Sequence, residues 1–119
     1  MRRGDVWLVD LDPVRGAEAN KARPVIVVSN DGANTAAWRN RSGVVTVVPV
    51  TTATDRVYAF QVLIGTQGTG LRVESKAQAE QVRSVSVERI GKVVGRLPDD
   101  LERRLDDALR LHLALPGSS

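Results

Sequence analysis

The chain has 119 residues, a net charge of +3 and no cysteine, so it has neither a disulfide framework nor a thiolate metal site. Its single histidine cannot hold zinc alone. No apolar stretch approaches the roughly 20 residues that a membrane-spanning helix needs. We therefore expect one domain over residues 1–119, soluble and cytoplasmic, with no metal and no cofactor.

Charge is unevenly distributed along the chain. The segment from Pro98 to Leu115 carries five acidic and three basic residues, a net of −2, which leaves +5 for residues 1–97. Arginine supplies most of the positive charge, and its guanidinium fork suits phosphate, so the composition favours a polyanionic partner. An arginine-rich coding preference would give the same composition. Only four aromatic residues occur, so extensive stacking on nucleic-acid bases is not expected.

In the first 97 residues, short strand-like runs alternate with turn-forming residues. This pattern predicts a small barrel or sandwich. The predicted strands are Asp5–Asp10, Val25–Val28, Gly43–Val50, Tyr58–Ile64, Leu71–Glu74, Ala79–Ser84 and Ile90–Val94. Within the third strand, Pro49 predicts a bulge or a free edge. The polar segment 31–41 predicts a long loop or a single helical turn. Its Trp38 either covers the barrel mouth or lies in a partner interface.

The last segment predicts a helix over about residues 98–115. Leucines recur at helical spacing, Pro98 suits the first helical position, and the acidic residues that follow favour the positive end of the helix dipole. His112 and Leu113 fall near the apolar face, so we expect the histidine to be packed in the core. The predicted fold class is β-rich α+β, with a small β-barrel over about residues 1–97 closed by this helix.

Arg23-Pro24 stands between a polar loop and the apolar run Val25–Val28. Proline fixes its own φ and biases the preceding residue toward an extended conformation. A guanidinium is thereby anchored where a loop meets a strand, which suits a group that must hold an anion. The alternative is an arginine that caps the strand and pairs with a nearby acid.

Most hydrolase chemistries lack their residues here. A Ser-His-Asp arrangement would need His112, and the glycine-rich segment 65–70 lacks the Lys-Ser/Thr of a phosphate-binding loop. Cleavage of a phosphodiester by the substrate's own 2′-hydroxyl remains, because it needs only a polarising group and cationic donors for the developing charge. Arg23 is the candidate cation, and Thr51 is a candidate hydroxyl donor.

Five segments, in order along the chain, together resemble the MazF/PemK family of toxin endoribonucleases. They are Asp5–Pro13, Gly16–Glu18 followed by Arg23–Val25, Val48–Thr52, Tyr58–Val62 and Glu80–Ser84. Two positions depart from the family pattern: Ala17 stands where serine is usual, and Ala59 replaces a proline.

The resemblance implies an SH3-like barrel, a homodimer, and sequence-specific, ribosome-independent and metal-independent cleavage of single-stranded RNA. The expected products carry 2′,3′-cyclic phosphate and 5′-hydroxyl ends, and a small acidic antitoxin is the expected inhibitor. By position, Arg23 and Thr51 are the implied catalytic residues. The implied RNA-binding residues are Glu18, Thr52, Gln81 and Arg83.

Two other functions remain open at this point. A toxin of the same barrel type could act on a protein target such as DNA gyrase, but it would have no reason to keep Arg23 together with Thr51. A non-catalytic nucleic-acid-binding barrel would fit the +5 charge of residues 1–97, but the low aromatic content counts against it.

Overall fold

The computed structural model describes residues 1–10 and 22–117. These residues form seven strands and two α-helices, with 3₁₀ turns at Ala79–Gln81 and Val87–Arg89. The strands are β1 (Asp5–Val9), β2 (Arg23–Val27), β3 (Val44–Thr51), β4 (Gln61–Ile64), β5 (Ser75–Gln78), β6 (Arg83–Ser86) and β7 (Ile90–Arg96); the helices are α1 (Asp31–Asn40) and α2 (Asp99–Leu113). Neither helix is long and apolar enough to cross a membrane.

All strand pairs are antiparallel, and β3 is the branching strand. The order is β4-β5-β3-β2-β1-β7, with β6 also paired to β3. One edge of β3 pairs with β6 along Val44–Val47 and with β5 at Val50 and Thr51. Pro49 lies in the gap between the two partners. Proline has no N–H to donate to a neighbouring strand, which fits a break in pairing at this position. The sequence predicted an irregularity there.

The described sheet is open. β4 and β7 lie at opposite ends of the strand order, and no pairing joins them within the described residues. The prediction of a β-rich α+β fold with a C-terminal helix is confirmed, but the strands do not close into the predicted barrel. Helix α2 packs instead against β4 and the 3₁₀ turn at Ala79–Gln81.

Two apolar cores lie on opposite faces of the sheet. The first joins Ile26, Val48 and Val50 to the buried residues of α2, Leu105, Ala108 and Leu109. The second contains Trp7, Val9, Val25, Val27, Val45 and Val47, and Ala37 and Trp38 of α1 pack on it. Burial of each such valine or leucine contributes roughly 1.5–3 kcal/mol, so the sheet is held from both sides.

Helix α1 corrects the prediction of a loop or single turn over residues 31–41. The Asn30 side chain caps the helix by accepting a hydrogen bond from the Ala33 amide at 2.8 Å. Asn34 is fully buried and donates to the Ser29 carbonyl at 2.8 Å, while the Ser29 hydroxyl donates to the Asn34 side-chain oxygen. A polar residue thus docks the helix, and for this reason an apolar pattern did not reveal it.

Trp38 lies on the last turn of α1 and is half-buried. Its ring centroid lies 4.9 Å from that of Trp7, and the Arg41 guanidinium lies 4.3 Å from the Trp38 ring centroid. The side chain therefore covers the second core rather than a barrel mouth.

Several predicted boundaries are also wrong. Residues 71–74 form no strand, with bends at Arg72 and Val73, and β5 begins only at Ser75. The predicted strand over Ala79–Ser84 is a 3₁₀ turn followed by β6, and β4 begins at Gln61 rather than Tyr58. The last buried residue of α2 is Leu109, and His112 and Leu113, which follow it, are exposed. His112 is therefore not a core residue.

A network of partly exposed ion pairs fixes the N-terminus of α2 to the sheet. Arg3 contacts Asp106 at 2.7 Å and donates to the Val28 carbonyl at 2.9 Å. Arg96 of β7 contacts Asp5 of β1 at 3.1 Å. Both arginines also lie 3.5 Å from Glu102. Partly exposed pairs contribute modestly one by one, so the network orients α2 more than it stabilises it.

The loop before Leu71 packs closely on β7 through two glycines, Gly70 and Gly95. A Cβ at Gly95 would overlap the carbonyl group of Thr69, whereas a Cβ at Gly65 would meet no atom. We expect Gly95→Ala to lower the free energy of unfolding by about 1–3 kcal/mol, the usual cost of overpacking. Gly65→Ala is the matched control and should change it by less than about 0.5 kcal/mol. Urea denaturation of both variants checks this, and equal stabilities would contradict the close packing.

Candidate active site

The register of β2 and β3 brings Arg23 and Thr51 together. Val25 pairs with Pro49, so the same antiparallel register continued by two residues sets Arg23 opposite Thr51. Side chains two residues apart on a strand share a face. Arg23 and Thr51 therefore lie on the same face of the sheet as Val25, beyond the end of the second core.

A cavity of about 280 Å³ occupies this corner of the sheet. It opens beside the gap at which β3 changes from one partner strand to the other. Its lining residues are Arg23, Pro49, Val50, Thr51, Gln78, Gln81 and Arg83. Four residues that the sequence predicted for the site, Arg23, Thr51, Gln81 and Arg83, thus meet in one cavity.

Both cavity arginines are available to a ligand. Arg23 and Arg83 are exposed, and neither forms an ion pair with a carboxylate of residues 1–10 or 22–117. The alternative in which Arg23 caps its strand by pairing with an acid is therefore not observed within that part of the chain. Among the described residues, the lining contains two guanidinium groups and no carboxylate, which favours binding of an anion such as phosphate.

Thr51 is the last residue of β3 and is half-buried. Its Oγ1 accepts a hydrogen bond from the Ala53 amide at 3.3 Å. The hydroxyl is thereby oriented and still has its own proton to donate. Thr52, the next residue, is exposed and is not among the lining residues, so its RNA-binding role stays a prediction.

The sequence prediction missed Gln78 and cannot be checked at Glu18. Gln78 ends β5, and because Val50 pairs with Ala77, the register sets Gln78 beside Pro49. Gln78 becomes a neighbour of Pro49 only through the pairing of β3 with β5. A residue pattern along the chain could therefore not predict Gln78 as a site residue. Glu18 lies outside the described residues. Among the described residues, no cluster of three His, Asp or Glu side chains could hold a metal ion.

A larger hollow of about 500 Å³ lies elsewhere, between α2 and the sheet. Two of its lining residues are Arg3 and Arg110, but Arg3 contacts Asp106 at 2.7 Å and Arg110 contacts Asp107 at 2.9 Å. Its positive charges are therefore neutralised within the protein. The smaller cavity at Arg23 is the better anion site.

Comparisons with known proteins agree with one another. A family model described as PemK-like, MazF-like toxin of type II toxin–antitoxin system matches residues 2–113. The Mycobacterium tuberculosis protein named endoribonuclease MazF9 is 56% identical over 115 residues, covering 97% of this chain and 98% of that protein. Endoribonuclease EndoA of Bacillus subtilis is 32% identical over 117 residues, covering 97% and 96%. A solved mycobacterial endoribonuclease in complex with its cognate antitoxin superposes with a TM-score of 0.76 at 24% identity and covers 99% of both chains, which shows a shared fold.

The cavity arginines have no carboxylate partner among the described residues, and this predicts their effect on stability. We expect Arg23→Gln and Arg83→Gln each to change the free energy of unfolding by less than about 0.5 kcal/mol, because no described partner is lost. Arg3→Gln is the matched control and should cost about 1 kcal/mol, since it removes the Asp106 contact and the bond to the Val28 carbonyl. Urea denaturation measures all three, and a large loss at Arg23 would mean that it serves the fold.

Proposed function

The chain belongs to the PemK-like, MazF-like toxin family of type II toxin–antitoxin systems, and we propose that its endoribonuclease activity resides in the cavity around Arg23 and Thr51. One observation carries this assignment. Two exposed guanidinium groups and an oriented hydroxyl converge on a cavity that has no carboxylate in its described lining. Such a set stabilises negative charge, which is what cleavage of a phosphodiester requires.

The proposed reaction uses the substrate's own nucleophile. The 2′-hydroxyl of the RNA loses its proton as its oxygen forms a bond to the neighbouring phosphorus. The bond from phosphorus to the 5′-oxygen of the next nucleotide breaks, and that oxygen gains a proton. The products are a 2′,3′-cyclic phosphate and a 5′-hydroxyl. The chain has one histidine and no cysteine, and 2′-hydroxyl chemistry needs no metal, so we propose a metal-independent reaction.

Charge stabilisation is the role proposed for the two arginines. Their guanidinium groups would contact the non-bridging oxygens as negative charge builds on phosphorus, and the Thr51 hydroxyl would donate a further hydrogen bond. A guanidinium remains protonated at neutral pH in solution, so we assign Arg23 an electrostatic role rather than that of a base. Glu18, outside the described residues, would assist proton transfer or order its loop.

The remaining site residues are proposed to bind the RNA strand. Gln78 and Gln81 present amides that both donate and accept hydrogen bonds, as base edges require. Arg83 would contact a phosphate of the RNA. Thr52, which follows Thr51 in the sequence, is proposed as a further RNA contact. The proposed substrate is single-stranded RNA, mRNA first and also tRNA or rRNA, cleaved at a short motif without the ribosome.

An acidic antitoxin and a second copy of the chain complete the proposal. One solved relative is described as bound to its cognate antitoxin. An arginine-lined cavity that attracts RNA also attracts a flexible acidic peptide, so we propose that the antitoxin occupies this surface. The resemblance to the family supports the proposal that the toxin is a homodimer. The rival, a toxin acting on a protein such as DNA gyrase, leaves the pairing of Arg23 with Thr51 unexplained.

The chemistry is tested on RNA incubated with purified protein. Cleavage should persist in EDTA, leave 2′,3′-cyclic phosphate and 5′-hydroxyl ends, and stop when the scissile nucleotide is 2′-deoxy. Sequencing of the new 5′ ends maps the cleavage motif, and end-group analysis identifies the products. Activity that EDTA abolishes and magnesium restores would refute the proposed reaction.

Single substitutions test the assigned roles. Arg23→Ala should lower kcat/KM by at least a hundredfold, because a donor aimed at developing charge contributes roughly 3 kcal/mol. Arg23→Lys should recover little, since a lysine cannot reproduce the bidentate fork. Thr51→Val, which is nearly isosteric, should slow cleavage without lowering the melting temperature. If the Arg23 and Thr51 variants fold normally and cleave at the wild-type rate, the active site lies elsewhere.

A further inference from the structure

Aromatic and cationic side chains from β5 and from the segment between β3 and β4 cluster beside the active-site cavity. The Tyr58 ring stacks on Phe60, with centroids 5.3 Å apart and an interplanar angle of 4°. The Arg56 guanidinium lies 5.7 Å from the Tyr58 ring centroid, and the Lys76 ammonium lies 5.9 Å from it. Tyr58 is nevertheless 45% exposed. An aromatic surface flanked by two cations therefore faces solvent.

The register of β3 and β5 sets this cluster next to Thr51. Lys76 pairs directly with Thr51, and directly paired residues of antiparallel strands have Cβ atoms about 5 Å apart on one face of the sheet. Lys76 is buried, and its ammonium donates to the Arg56 carbonyl at 2.6 Å. It forms no ion pair with a carboxylate of the described residues. Positive charge thus continues from the cavity to Tyr58.

Hydrogen bonds hold the tyrosine in place before any ligand binds. Gln61 forms two hydrogen bonds with the Tyr58 backbone. The Gln61 side-chain oxygen accepts from the Tyr58 backbone amide at 3.1 Å, and the Gln61 backbone amide donates to the Tyr58 carbonyl at 2.9 Å. The Gln61 side chain is itself fixed by Glu80 at 2.7 Å. Arg56 donates to the Tyr58 hydroxyl at 3.1 Å. A surface fixed in this way loses little entropy on binding, as a binding subsite requires.

We propose that Tyr58, supported by Phe60 and flanked by Arg56, is a subsite that stacks the base of a nucleotide next to the scissile phosphate. This inference rests on the proposed RNA cleavage and adds a second point of contact to it. Bases stack on aromatic rings in single-stranded complexes, and a nearby guanidinium binds the accompanying phosphate. The chain has few aromatic residues, so the subsite holds one base and helps to fix which phosphate reaches Arg23 and Thr51.

The test measures whether Tyr58 and one particular base act together. The probe is a short RNA carrying the mapped cleavage motif, with a 2′-deoxy scissile nucleotide so that it binds without being cut. A series of such RNAs has one abasic nucleotide at each position flanking the scissile bond. We expect one abasic position to weaken binding to the wild-type protein about tenfold. Tyr58→Leu should weaken binding of the intact RNA by a similar factor and lose sensitivity to that position.

Three further variants control for folding and for a general loss of apolar surface. Tyr58→Phe retains the ring and should bind within about twofold of wild type. Val93→Ala truncates an apolar side chain of β7 that is somewhat more exposed than Tyr58 and lies at the other end of the sheet, and this variant should bind as wild type does. Tyr58→Ala repeats the test with a smaller side chain, and melting temperatures confirm that every variant is folded.

The possible outcomes separate this subsite from the function on which it rests. A wild-type protein that cuts no RNA overturns both. A wild-type protein that cuts RNA but shows no coupling between Tyr58 and any abasic position overturns the subsite alone. Loss of affinity for an acidic antitoxin peptide in Tyr58→Leu, with RNA binding unchanged, also overturns it and makes this surface a protein contact.

Discussion

The candidate active site depends on the way β3 is paired. Along one edge β3 holds β2 in a register that sets Arg23 opposite Thr51. Along the other edge it holds first β6 and then β5, and the change of partner at Pro49 leaves the space into which Gln78, Gln81 and Arg83 project. A slip of one residue in any of these pairings would turn the site residues to the opposite face, toward the first core.

The protein uses arginine in two different ways on its two sides. Near α2, Arg3 and Arg96 each contact carboxylates and join the helix to the sheet. At the cavity, Arg23 and Arg83 have no such partner among the described residues. Two acidic residues of the 98–115 segment, Glu102 and Asp106, therefore do more than lower the net charge. They contact the structural arginines, and the positive potential is left concentrated at the end of the sheet where a polyanion would bind.

The sequence predicted the elements that a local residue pattern specifies. It missed the features that depend on contacts between segments distant in the sequence. Strands β1 to β4 and β7 were predictable from strand-length apolar runs between turn residues, and α2 from apolar residues at helical spacing. Helix α1 was missed because it is docked through the buried amide of Asn34. His112 was misplaced because helical periodicity says nothing about where the core ends. Local motifs singled out Arg23 and Thr51, which line the same cavity, whereas Gln78 becomes their neighbour only through the pairing of β3 with β5.

An open sheet has a consequence for solubility that a closed barrel avoids, since its end strands present unpaired backbone groups to other molecules. Among the described residues the end strands are β4, β6 and β7, and all three are poor templates for a foreign strand. β6 is four residues long. β4 has only four residues and lies against α2. β7 is longer, but its pairing with β1 is shifted twice, and shifts of this kind bend and twist a strand. An exposed lysine, Lys92, projects from the middle of β7. Such an edge discourages the strand-by-strand aggregation that a long, flat and apolar edge would promote.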